Sequence, residues 1–155
     1  MLSSLVMRVA RLETRIEVKV IPGPEVAVMA DPDQIEQMLI NLVRNAAEAA
    51  LEGSPATKGP IEAASSSTNG FQPRVTISWA LLENNVDLVI EDNGPGLLNP
   101  SNAFVPFYTT KPAGSGIGLV LSRQIAEAHG GSLELTSLPS ERGCRARVLL
   151  PRPLP

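Results

Sequence analysis

Residues 86–97 read VDLVIEDNGPGL. Val86 to Ile90 is almost continuously apolar, which predicts a strand well inside a sheet. The run ends in Glu91-Asp92, and Asn93, Gly94, Pro95 and Gly96 follow. An aspartate at a strand end, followed by two glycines, places a carboxylate at the floor of a cleft. The glycines let backbone approach a flat ligand closely. An ionised carboxylate only accepts hydrogen bonds. It would pair with the exocyclic amine of adenine and reject the carbonyl of guanine. The same residues also suit a plain turn with an Asx cap, so the stretch alone leaves both open.

Working outward, Val75, Ile77, Trp79 and Leu81 alternate with polar positions and Asn84-Asn85 suits a tight turn, so a hairpin precedes this strand. Further upstream, residues 2–11 read as the end of a helix. Arg15 to Val20 alternates, with Ile16, Val18 and Val20 on one face, and Glu25 to Met29 reads as a second short strand after Pro22-Gly23-Pro24. Asp31-Pro32 then opens a helix, aspartate at the cap and proline at the first helical position. Ile35, Met38, Leu39, Leu42, Val43, Ala46 and Ala50 recur at helical spacing, beside a polar stripe of Gln34, Gln37, Asn41, Asn45 and Glu48. Downstream, a helix is expected from about Ser115 to His129, with Ile117, Val120, Leu121, Ile125 and Ala128 inward and Gly130-Gly131 as its stop. Strands near 132–137 and 143–150 close the chain around a Pro139–Gly143 turn. The order β-β-α-β-β-α-β-β predicts an α+β two-layer sandwich, a mixed and mostly antiparallel sheet covered on one face by helices. Glu52 to Gly70 lacks periodicity and reads as a surface insertion.

Two further stretches carry chemistry. In Asn41-Leu42-Val43-Arg44-Asn45-Ala46 two poor helix formers sit four apart on one face. Such amides can touch phosphate oxygens and ligate Mg2+, which takes few protein oxygens beside substrate phosphates. A solvated polar face would look the same. In Lys111-Pro112-Ala113-Gly114-Ser115-Gly116-Ile117-Gly118-Leu119 a glycine run leads straight into a helix. Free amides and the helix dipole make that a phosphate cradle, with Lys111 adding charge, although a plain loop reads alike. It is neither a dinucleotide fingerprint nor a P-loop.

Composition narrows the class. The chain has 155 residues, 43% hydrophobic, enough for one domain with a core. A net charge of -3 and 3% aromatics argue against nucleic acid. One cysteine, Cys144, excludes an internal disulfide and a thiolate zinc site, and suits a reducing cytosol. No run of about eighteen apolar residues suggests a membrane span.

The three segments, in this order, resemble the nucleotide-binding fold shared by DNA gyrase, heat-shock chaperones, histidine kinases and mismatch-repair ATPases, the Bergerat-type ATP-binding fold. Asn41 to Asn45 is similar to the family's N box. Asp92, Gly94 and Gly96 are similar to its first glycine box, and Gly114, Gly116 and Gly118 to its second. Phe104-Val105-Pro106-Phe107-Tyr108-Thr109-Thr110-Lys111 resembles the F box of histidine kinases. The N and F boxes are worded most like the nitrogen-regulation sensor kinases. The resemblance implies ATP between the N-box helix and a lid at about 97–113. Asn45 would ligate Mg2+, Asn41 would position the phosphates, and these two would be the catalytic pair. Asp92 would bind the adenine amine, with Gly94 and Gly96 admitting the ring. Ile90, Ile117 and Leu119 would contact the base. Gly114, Ser115, Gly116 and Gly118 would shape the lid hinge and phosphate contacts, joined by Thr110, Lys111 and Glu48. Phe104 and Phe107 would chiefly pack beneath the lid.

The implied activity is transfer of the γ-phosphoryl group of MgATP to a histidine on a separate helical dimerisation domain, with a response regulator downstream. Residues 1–13 would be a remnant of the upstream region and 14–155 the ATP-binding domain, cytoplasmic, monomeric alone and without direct membrane contact. His129, the only histidine, sits at a helix end, where a cation suits the dipole. It is not expected to be the acceptor. Two rivals stand beside this. A hydrolysing ATPase of the gyrase kind has a glutamate where this chain has Asn41, and an amide is no general base near neutral pH. A nucleotide-sensing or docking module of the same fold would bind ATP without phosphorylating its parent.

Overall fold

A computed structural model describes residues 2–28, 30–52, 73–94, 118–138 and 143–151. Among these, the elements are α1 (Leu2–Leu12), β1 (Glu17–Ile21), α2 (Pro32–Glu52), β2 (Arg74–Leu82), β3 (Asn85–Asp92), α3 (Gly118–Ala128), β4 (Ser132–Ser137) and β5 (Cys144–Pro151). The strands form one sheet in the order β1-β2-β3-β5-β4. β1 runs parallel to β2, and the other pairs are antiparallel. The sheet is therefore mixed, as expected.

Alternation along each strand puts one side against the helices. Val75, Ile77 and Trp79 of β2, Val86, Leu88 and Ile90 of β3, and Ala146, Val148 and Leu150 of β5 are all buried. Register aligns them in rows across the sheet: Ile77 faces Ile90, which faces Ala146, and Trp79 faces Leu88, which faces Val148. From above, α2 buries Ile35, Met38, Leu39, Leu42, Val43, Ala46, Ala47 and Ala50. α1 adds Leu2, Leu5, Val6 and Val9. The opposite face of the sheet is polar and laced with ion pairs, Arg145 with Glu91 and Arg147 with Asp87.

Three expectations change. Residues 25–28 form no strand. The backbone from Pro24 onward serves other partners instead: Leu2 N–H donates to Val26 O at 3.0 Å and Trp79 Nε1–H donates to Pro24 O at 2.9 Å. The segment thus straps α1 to the sheet, and Val26 is buried beneath it. The β2–β3 turn is Glu83-Asn84, one residue earlier than read from Asn84-Asn85, with Leu82 opposite Asn85. Glu83 takes a left-handed φ of 53°.

The third change concerns α3. Ser122 and Ala126 face inward, fully buried, with Leu119 and Ile125 packed at their flanks. Leu121 is 44% exposed, and Ala128 is exposed as well. Ile117, expected inward, lies outside the described residues. The helix is rotated so that small residues, and not Leu121 or Ala128, point into the core.

Candidate functional site

The alternation that buries Val86, Leu88 and Ile90 continues one step to Asp92. Its carboxylate therefore lies on the core side of the sheet, at the strand's end, and is only 7% exposed. It is the one buried charged residue among those described. Burying a charge is costly unless the group is hydrogen-bonded, so such a placement marks a site with work to do. Asp92 Oδ1 accepts the Gly94 N–H at 2.9 Å. Asn93 Oδ1 accepts the Arg74 N–H at 2.8 Å and ties the turn back to β2. Across the sheet, Asp92 is registered with Val75 on one side and Cys144 on the other.

Helix α2 supplies the wall opposite. Asn41, Asn45 and Ala49 recur every four residues along one face. Gly94 is pressed against this face: a Cβ there would stand 2.2 Å from the carbonyl oxygen of Ala49. Gly118, the first described residue of α3, lies one turn up, where a Cβ would stand 3.8 Å from Asn45 Nδ2. One helical face thus meets both Gly94 and Gly118, although 24 positions separate them in the chain. Asn41 Oδ1 accepts a hydrogen bond from Gln37 Nε2 at 3.3 Å.

Glu48 is half-buried and lies 3.9 Å from Arg15 Nη1. Arg15 also holds Glu13 through two side-chain hydrogen bonds, and these keep the Glu13 carboxyl below its ordinary value of 4.5. Glu48 is thereby tied to the α1–β1 connection. Leu119 and Ile90 both belong to the core around the site. Gly96, Thr110, Lys111, Gly114, Ser115, Gly116 and Ile117 lie outside the described residues, as do the lid at 97–113 with Phe104 and Phe107 and nearly all of the 52–70 insertion.

His129 lies at the end of α3, as expected, and makes a contact across the domain. Its Nε2 lies 3.1 Å from the Asp31 amide nitrogen and its Nδ1 2.8 Å from Ile125 O. Nε2 is thus the acceptor for a backbone amide at the start of α2. Nothing in composition pointed to this pairing, since its partner lies 98 residues away.

The chain matches the family described as histidine kinase-, DNA gyrase B- and HSP90-like ATPase over residues 30–154. It is 34% identical over 152 residues to the sensor protein TdiS of Thauera aromatica, covering 97% of this chain and 25% of that protein. It is 39% identical over 132 residues to the sensory histidine kinase/phosphatase NtrB of Rhizobium leguminosarum bv. phaseoli, covering 81% and 32%. The chain thus spans a quarter to a third of these relatives' length. The catalytic domain of histidine kinase ThkA, in a nucleotide-free form, superposes with a TM-score of 0.74 at 26% identity, covering 97% of this chain and 92% of that one.

Proposed function

The chain belongs to the histidine kinase-, DNA gyrase B- and HSP90-like ATPases and is homologous to the catalytic domains of sensor histidine kinases; from that premise we propose that it binds MgATP and passes the γ-phosphoryl group to a histidine on a separate helical domain. The observation that carries the proposal is the buried carboxylate of Asp92, set on the core side of the sheet beside a glycine seated on α2. It marks the adenine end. Asn45, one turn along the same helix and next to Gly118, marks the phosphate end. Mg2+ would arrive with the nucleotide. Asn45 is neutral and offers one amide oxygen, so the phosphates must supply most of the ion's charge and ligands.

The chemistry is displacement at the γ-phosphorus. The bond to the β–γ bridging oxygen breaks, a bond to an imidazole nitrogen of the partner forms, and ADP leaves. Catalysis here rests on positioning and charge stabilisation. Asn41 occupies the place where hydrolysing relatives need a base, and its amide cannot take a proton from water. Transfer to a partner is favoured over hydrolysis. His129 has both ring nitrogens engaged inside the domain, which supports an acceptor elsewhere. A response regulator of the two-component kind would receive the phosphoryl group next.

Calorimetric titration with ATP, ADP and GTP, with and without Mg2+, tests the proposal. Asp92→Asn keeps the size but presents an amide donor to the adenine amine. The expected loss is roughly 1.5–3 kcal/mol, a 10- to 100-fold rise in Kd. Full-strength ATP binding by Asp92→Asn would sink the assignment. Phosphorylation of the parent's helical hairpin, supplied separately, distinguishes a kinase from a nucleotide sensor.

A further inference from the structure

His129 stands immediately beyond α3, and its place is tightly set. Gly130 has φ +79°, Gly130 N–H donates to Glu127 O at 3.1 Å and Gly131 N–H to Ala126 O at 2.9 Å. That is a Schellman stop, which orients the residue before it. The ring then meets two partners of opposite kind. Ile125 O, 2.8 Å from Nδ1, can only accept, and the Asp31 amide, 3.1 Å from Nε2, can only donate. Together they fix the proton on Nδ1 and the lone pair on Nε2.

Asp31 is the N-cap of α2. Its Oδ1 accepts the Asp33 N–H at 2.9 Å and its carbonyl accepts the Ile35 N–H at 3.0 Å. In a capping box, the cap's own amide is taken by a Glu or Gln side chain three residues on in the same helix. Here the acceptor comes from the end of another helix. The start of α2 is thus stapled to the end of α3. At the opposite end of α3, Gly118 sits beside Asn45. An eleven-residue helix is a rigid rod about 16 Å long. Releasing one end lets the other slide or turn against α2. Gly94 is seated on α2, and Asp92 belongs to β3 and is registered with Cys144 of β5, so the adenine end is anchored by elements other than α3.

Resting on the nucleotide assignment above, we propose that His129 is a positioning residue: its ring holds α3 in register on α2, and thereby keeps the Gly118 end beside Asn45, where the triphosphate would lie.

The test compares His129→Gln, His129→Asn and His129→Phe, titrated with MgATP and with adenosine alongside thermal melts. A glutamine amide reaches the place of Nε2 and can accept from Asp31. An asparagine amide replaces Nδ1 and leaves the Asp31 amide unserved. His129→Asn and His129→Phe should lose about tenfold in MgATP affinity, the worth of one such bond, while adenosine binding changes less than about twofold. His129→Gln should keep MgATP affinity within about threefold of the parent. Equal MgATP affinity for all four proteins overturns the proposal. So does a parallel loss of both ligands, which would make His129 a general stability residue. Asp92→Asn, run beside them, separates the two claims: if it too binds MgATP normally, the nucleotide assignment itself has failed.

Discussion

Gly94→Ala offers the sharpest check on how the site is built. A Cβ at this position would lie 2.2 Å from Ala49 O and 2.5 Å from Ala49 C. Ordinary contact between these atoms needs about 3.3 Å or more, so turn and helix must part by about an ångström. The obstacle is helix backbone, which cannot swing aside as a side chain can. Overpacking of this kind costs about 1–3 kcal/mol. In a domain of this size each kcal/mol lowers Tm by about 3 °C, so the melt should fall by about 3–9 °C. The turn also carries the Gly94 N–H that holds Asp92 Oδ1. Displacing that carboxylate by about an ångström can cost on the order of 100-fold in function. ATP affinity by calorimetry should therefore fall by far more than the melt implies, with the domain still folded well below its new Tm. Gly118→Ala is the matched control, since its Cβ would find ordinary contact at 3.8 Å. Its melt should stay at the parent's value or rise. If Gly94→Ala melts and binds ATP like the parent, Gly94 does not seat against α2 and the convergence of the two segments is wrong.

Other outcomes follow from single residues. Among the described residues Ser122 Oγ is fully buried without a hydrogen-bond partner, so Ser122→Ala should stabilise the domain by about 1 kcal/mol in urea unfolding; a loss of that size would mean the hydroxyl is served. Glu83 holds a left-handed φ of 53°, and Glu83→Gly should raise stability by about 0.5–1 kcal/mol, strain relief outweighing glycine's entropy; an unchanged Tm would argue against the turn. Hydrogen bonding from Arg15 holds the Glu13 carboxyl below 4.5. A depressed folded-state value means stability present above pH 4.5 and lost as pH falls through the lower folded value. Arg15→Gln should shrink that acid-side loss in melts between neutral pH and pH 3, and an identical acid slope would remove the pair from the account.

The fold was legible wherever one face of an element is apolar and the other polar. The alternation in β2, the face of α2 and the closing hairpin all emerged near their expected positions, because burial there depends on residue type at a fixed period. Legibility failed where tertiary partners outvoted local pattern. Residues 25–28 have strand-like composition, yet Leu2 and Trp79 claim the carbonyls of Val26 and Pro24. His129 has no sequence neighbour that hints at Asp31. At the candidate site the residue types could be read, and their convergence on one helical face could not.

Helix α3 shows why size misleads as a guide to burial. Leu121, Ile125 and Ala128 recur at helical spacing, and the apolar count favoured turning that face inward. The side turned inward is instead Ser122 and Ala126, in line with Gly118, which sits beside Asn45 of α2. Two helices that must bring backbone close to backbone select small residues along the contact line, since each large side chain there would push the axes apart. Apolar bulk then belongs at the margins, where Leu119 and Ile125 pack on the core and Leu121 lies over Gln34 and Gln37 of α2 in a surface groove. The close crossing also has a functional consequence. Had Leu121 filled the interface, Gly118 could not stand within contact distance of Asn45, the amide proposed to hold Mg2+. A buried hydroxyl at Ser122 is then the cost of a small side chain at the crossing. On that logic Ser122→Ala preserves the crossing and gains stability, whereas Ser122→Leu, which restores the apolar pattern, should separate the helices and weaken MgATP binding more than adenosine binding. If Ser122→Leu keeps the parent's preference for MgATP over adenosine, close approach of α2 and α3 does not set the phosphate end of the site.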